Sequence, residues 1–118
     1  MTAHEKDMMI LISKAAEFLA DVVQTRIPET GVFQTVSVIF DYPGGPFGGR
    51  LAVEKSYEAL DSRRITAGIH RKNDDRLVSN YLFTGTKAEV LDWLRSAETL
   101  PGLIDTFEHL KDRTEQFD

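Results

Sequence analysis

The sequence predicts an α+β fold: a four-stranded antiparallel meander with an N-terminal helix and two C-terminal helices packed on one face. Apolar residues recur every three or four positions near both ends of the chain, which is typical of amphipathic helices. Between those ends, β-branched and aromatic runs are separated by short turn segments, which is typical of consecutive strands. The 118 residues, 42% hydrophobic and 28% charged, indicate one globular domain spanning 1–118.

The first helix is predicted over 4–27. Pro28 and Gly31 end it, because proline removes a backbone donor and disfavours helix at the preceding residue. Its wide apolar stripe is expected to face the core. The stripe consists of Met8, Leu11, Ile12, Ala15, Phe18, Leu19, Val22, Val23 and Ile27.

Four strands are predicted over 32–42, 50–58, 63–71 and 76–84. The second is ambiguous: Leu51, Val53 and Tyr57 fit a strand, whereas Val53, Tyr57 and Leu60 fit a helix, and we favour the strand. One sheet face is then polar and open to a partner. It would carry Thr35, Ser37, Asp41, Glu54, Ser56, Glu58, Arg64, Thr66 and His70.

Two helices close the chain. Thr86 and Glu89 have the spacing of a capping box, and an apolar stripe follows them. A last helix is predicted after Pro101. Trp93, beside Asp92, is interpreted either as a boundary residue wedged against the neighbouring helix or as a solvent-facing binding hot spot.

A glycine-rich loop lies between the first two predicted strands, from Tyr42 to Arg50. Phe47 at its tip and Arg50 at its base suggest a recognition loop. An anion site is a weaker alternative, since phosphate loops lead into a helix and this segment matches neither a Walker pattern nor GxGxxG. The loop could also be a plain hairpin connection.

The net charge is −5 and the sequence pI is about 5.2. This balance disfavours a nucleic-acid binder, which needs a basic face. Residues 81–118 alone carry a net charge of −4, and we interpret their acidic face either as solvated or as complementary to a basic partner. The segment 61–80 has a net charge of +2. It contains no aromatic residue that could stack on bases, and Tyr81 lies just beyond it.

No motif indicates catalysis, a metal or a cofactor. The chain has no cysteine, its three histidines lack metal-ligand spacing, and no GxSxG is present. A Ser37–His70–Asp41 grouping across the sheet is the remaining catalytic alternative. The sequence shows neither a secretory signal nor a run of about 18 apolar residues, so a cytoplasmic protein without membrane contact is expected.

The segment 84–94, Thr-Gly-Thr-Lys-Ala-Glu-Val-Leu-Asp-Trp-Leu, together with Leu100 to Leu110 and the acidic end, resembles the close of several small bacterial immunity proteins. These include immunity proteins of contact-dependent growth-inhibition systems. The resemblance implies a compact, acidic, non-catalytic protein that covers the working surface of a cognate toxin. It covers about a quarter of the chain and assigns no role to individual residues.

The leading hypothesis is therefore a non-catalytic protein-binding module, most concretely an immunity protein or antitoxin that blocks a basic toxin. One alternative is a small anionic-ligand-binding or regulatory domain, in which Arg50, Arg64 and His70 grip the anion. Another is a structural homo-oligomer that pairs, for example as a dimer, through a strand edge or the open face. The candidate contact residues are Asp41, Tyr42, Phe47, Arg50, Glu54, Glu58, Arg64, His70 and Trp93.

Overall fold

The computed structural model describes residues 3–29, 35–41, 48–55, 64–73 and 76–115, with side chains described at 6–29, 35–41, 49–55, 64–70 and 81–110. Its element order, αββββαα, confirms the predicted α+β fold. The elements are α1 (Ala3–Arg26), β1 (Val36–Asp41), β2 (Gly48–Lys55), β3 (Arg64–Asn73), β4 (Arg76–Thr86), α2 (Lys87–Arg95), a 3₁₀ turn (Ala97–Thr99) and α3 (Leu100–Glu115).

The four strands form one antiparallel sheet in the order β1-β2-β3-β4. The ambiguous second segment is a strand, as favoured, and it pairs with β1 on one side and β3 on the other. Leu51 and Val53 are buried on the helix-covered face and alternate with Arg50 and Glu54, which lie on the opposite face. This alternation explains why the segment is a strand.

The core lies between the sheet and the helices. α1 packs on β1 and β2, and α2 and α3 pack on β3 and β4. Phe40 of β1 and Phe107 of α3 meet at a ring-centroid distance of 5.3 Å directly above Gly49. A Cβ atom at Gly49 would lie 2.3 Å from the Phe40 ring, so the close approach of these rings requires glycine at this position.

Two helix predictions need correction. Phe18 is 62% exposed, because Ile12, Ala15 and Leu19 occupy the centre of the α1 stripe and Phe18 lies on its flank. The last helix begins at Leu100 rather than after Pro101, since proline is compatible with the first turn, where its missing N–H is not needed.

The strand ends also differ from the predicted bounds. β4 extends to Thr86, which serves both as the last strand residue and as the N-cap of α2 because its backbone is extended. The predicted strand residues 32–34, 42, 56–58 and 63 lie outside the described residues. None of the described helices combines the length and the apolar composition needed to cross a membrane.

Candidate functional site

The first candidate surface is the face of the sheet opposite the helices, which we call the outer face. The register confirms that Arg64, Thr66 and His70 share this face. Arg50 lies beside His70, and Glu54 lies beside Thr66. The described members are Thr35, Ser37, Ile39, Asp41, Arg50, Ala52, Glu54, Arg64, Thr66, Gly68, His70, Tyr81 and Thr84.

The centre of the outer face is buried, contrary to the expectation of a polar surface open throughout. Thr66 is 8% exposed and His70 is 7% exposed. Both lie on β3, a central strand whose side chains are flanked by those of β2 and β4. Exposed side chains lie on the two edge strands instead, with Ile39 on β1 and Tyr81 on β4.

The electrostatics of this centre give little support to an anion site. Burial and the positive charge of Arg50 lower the pKa of His70, with Glu54 acting in the opposite direction, so the imidazole is neutral near pH 7. Arg64 donates to the Thr84 carbonyl oxygen at 3.4 Å. The Nε atom of Arg50 is buried and has no hydrogen-bond partner within the described part of the chain, but the other two residues expected to grip an anion are a neutral histidine and an arginine that donates to the Thr84 carbonyl oxygen.

The alternative catalytic grouping is not assembled. Ser37 and Asp41 lie on β1, and β2 separates them from His70 on β3, a lateral distance of about 10 Å at the usual strand spacing. In the described residues, no three His, Asp or Glu side chains lie close enough together to hold a metal ion.

The second candidate surface is built around Trp93. Its indole stacks on Phe83 of β4, with ring centroids 5.4 Å apart and an interplanar angle of 12°. Trp93 therefore has a strand residue as its stacking partner. It remains half-buried rather than solvent-facing.

This stack lies in a groove of about 760 Å³ where β4, α2, the 3₁₀ turn and α3 meet. We call it the Trp93 groove. A register shift opposite Ala67 and Gly68 leaves Leu82 as an extra residue of β4, and a bulge of this kind turns side chains away from the regular alternation. Leu82 and Phe83 consequently both line the groove. The full lining is Leu82, Phe83, Glu89, Asp92, Trp93, Ser96, Glu98, Thr99, Gly102, Leu103 and Thr106.

Among the described residues that line the Trp93 groove, every charged one is acidic. Glu89 forms two hydrogen bonds with Thr86 at the start of α2. Its carboxylate accepts from the Thr86 N–H at 3.1 Å, and its own N–H donates to the Thr86 hydroxyl at 3.3 Å. This capping box confirms the predicted helix start. The Thr86 backbone N–H is the main reason that the pKa of Glu89 lies below its usual value, and nearby Arg64 adds to the effect.

The cations of α2 point away from the groove, toward α1. Lys87 Nζ donates to the Gln24 carbonyl oxygen at 3.1 Å. Arg95 donates to the Gln24 side chain and lies 3.8 Å from Asp21. Asp92 and Glu98 therefore keep their charge exposed, with no ion pair to another described residue.

The structure thus divides the predicted contact residues. Asp41, Arg50, Glu54, Arg64 and His70 lie on the outer face, and Trp93 lies in the groove. Tyr42, Phe47 and Glu58 fall outside the described residues. Sequence reasoning missed Leu82, Phe83 and Gly102, which join the site only through the strand bulge and helix packing; the one available signal was the aromatic Phe83 just before the capped helix.

The chain matches no family model, and neither the curated proteins nor the solved structures include a significant match to it.

Proposed function

We propose that this protein is a non-catalytic protein-binding module, most concretely an immunity protein that binds and blocks a basic toxin. The observation that carries this proposal is the charge arrangement of the helical side. Asp92, Glu98 and Asp105 are exposed there, while Lys87 and Arg95 are engaged with α1. An acidic surface of this kind favours a basic partner.

The charge and the groove have different roles in this proposal. Exposed carboxylates attract a basic partner during diffusion and disfavour acidic competitors, so they act mainly on the association rate and on specificity. Affinity needs a desolvated centre, which aromatic residues such as Trp93 commonly supply at protein interfaces. The resemblance of the segment 84–94 to immunity proteins supports the same function.

A tagged capture from the source organism's lysate tests partner binding. We expect one stoichiometric basic protein, retained at low salt and weakened as salt rises, because screening shortens the range of the attraction. The double variant Asp92→Lys/Glu98→Lys should slow its association by about tenfold at low salt. The matched control Asp7→Lys/Glu29→Lys makes the same change in net charge at exposed positions of the N-terminal part and should leave the rate nearly unchanged.

The immunity function has its own test. The captured protein is expressed in a laboratory bacterium, where we expect it to arrest growth unless the wild-type chain is co-expressed. Asp92→Lys/Glu98→Lys should protect less well than the control double variant at equal expression. A captured protein that is harmless on its own would contradict the immunity function while leaving the binding module in place.

A further inference from the structure

We infer that the Trp93 groove docks a segment of the partner in which a large apolar side chain is flanked by lysine or arginine. This inference rests on the proposed function, since it takes the partner to be a basic protein, and it adds where and how that partner binds. It follows from three features of the groove: its apolar lining, its one-signed charge and its open wall at Gly102.

The apolar lining comes from β4, α2 and α3. Leu82, Phe83 and Trp93 are each half-buried, so their packing in the fold leaves part of each side chain accessible. Leu103 completes the lining from α3 and is itself buried. An aliphatic or aromatic side chain placed on this lining would lose its contact with water and cover the exposed part of the Phe83–Trp93 stack.

The negative charge of the groove determines which residues of the partner can lie next to that apolar side chain. Asp92 comes from α2 and Glu98 from the 3₁₀ turn, so carboxylates are contributed by two separate elements. Arg64 is a described cation whose charge acts on Glu89, whereas Asp92 and Glu98 have no ion pair to another described residue. A segment with lysine or arginine on each side of its apolar residue would match these carboxylates, whereas an acidic segment would be repelled.

Gly102 leaves one wall of the groove open. It is the third residue of α3 and lines the groove, and a Cβ atom added there would have no atom within 4 Å. A side chain added at this position would therefore start in open space beside the groove, where a docked partner would lie. Gly102→Phe is therefore expected to block the groove, and Gly102→Ala is its matched control.

The experiment uses the intrinsic fluorescence of Trp93, which is the single tryptophan of the chain and lies in the groove itself. The probe is a short capped peptide in which Leu and Phe are flanked on both sides by lysines. The matched control peptide has glutamate in place of each lysine. We expect a saturable change in emission with the lysine peptide and at least about tenfold weaker binding of the glutamate peptide at low salt.

The variants separate the groove from the rest of the surface. Gly102→Phe should abolish the saturable response, and Gly102→Ala should retain it. Asp92→Lys/Glu98→Lys, which changes only exposed side chains, should weaken the lysine peptide by about tenfold and provides the test if Gly102→Phe does not fold. An unchanged response in folded Gly102→Phe or in Asp92→Lys/Glu98→Lys, or equal binding of both peptides, would overturn the inference.

The outcome is distinguishable from that of the proposed function. If the lysate partner binds wild type and Gly102→Phe equally well, the protein-binding function stands and the docking site assigned here is wrong. If the lysine peptide behaves as expected but no basic protein is captured and no toxin is neutralised, the groove inference stands and the proposed function fails.

Discussion

The outer face and the Trp93 groove are the two candidate surfaces, and they differ in shape and in charge. The outer face carries Asp41 and Glu54 together with Arg50 and Arg64, and its centre is filled by buried residues. The groove has an apolar lining, and the charged residues among its described members are all carboxylates. The alternation of side chains along a strand determines which residues lie on one face of the sheet. The groove, in contrast, forms where a strand and several helical elements meet.

Most of the predicted contact residues lie on the outer face, where charges of both signs give less discrimination between partners than the groove does. Charges of both signs on the outer face leave little net field for attracting a charged partner. On the helical side, the contacts of Lys87 and Arg95 with α1 separate the cations from the carboxylates of the groove. The position of a charge relative to its nearest opposite charge therefore matters more than the overall count.

The largest expected effect distinguishes the two faces of the sheet by stability. Ile69 is 0% exposed on the helix-covered face, and Ile69→Ala should lower the free energy of unfolding by about 3–4 kcal/mol through lost burial and a cavity. Ile39 is 74% exposed on the outer face, so Ile39→Ala should change it by less than about 0.5 kcal/mol. Urea denaturation measures both, and equal losses would contradict the assignment of the core.

Gly49 tests the close packing on the same covered face. Gly49→Ala should destabilise the fold by about 2–3 kcal/mol, because the added Cβ meets both the Phe40 and the Phe107 rings. Gly102→Ala is the control, since it adds the same methyl group in open space and replaces a glycine in the first turn of α3. A gain of about 0.5–1 kcal/mol is expected, because alanine lowers the conformational entropy of the unfolded chain. The sign of the two changes, read by thermal unfolding, should be opposite.

The capping box tests how firmly the groove's α2 wall is held. Thr86→Ala removes the hydroxyl that accepts the Glu89 N–H and should cost about 1 kcal/mol of stability. Thr25→Ala is the matched control in α1, where the hydroxyl donates to the Asp21 carbonyl oxygen at an exposed helical position and little change is expected. A cost for Thr25→Ala as large as that for Thr86→Ala would contradict this role of the cap.

His70 tests the buried centre of the outer face through pH. Its pKa is lowered in the folded state by burial and by Arg50, so the unfolded chain binds the proton more readily. The stabilisation from the neutral imidazole should be complete above about pH 6.5, the usual histidine value, and be lost as pH falls toward the lower folded pKa. Stability measured against pH should lose this component in His70→Gln, and a wild-type profile that rises on acidification through this window would contradict it.

The parts of the structure that could be predicted are those determined by local sequence. The capping box at Thr86 depends on residues one turn apart, and the β2 strand on the alternation of Leu51 and Val53. The bulge at Leu82 and the Phe83–Trp93 stack depend on how β4 pairs with β3 and how α2 packs back on the strand. These tertiary contacts produce no periodic pattern in the sequence, so the groove could not be predicted from it.

The most direct test of the docking site is amide chemical-shift mapping of the isotope-labelled chain with the basic protein captured from the lysate. We expect the largest shifts at residues of the Trp93 groove, including Leu82, Trp93 and Gly102, with Ser37 and Ile39 of the outer face little affected. Shifts concentrated on the outer face, with the groove unchanged, would contradict the account.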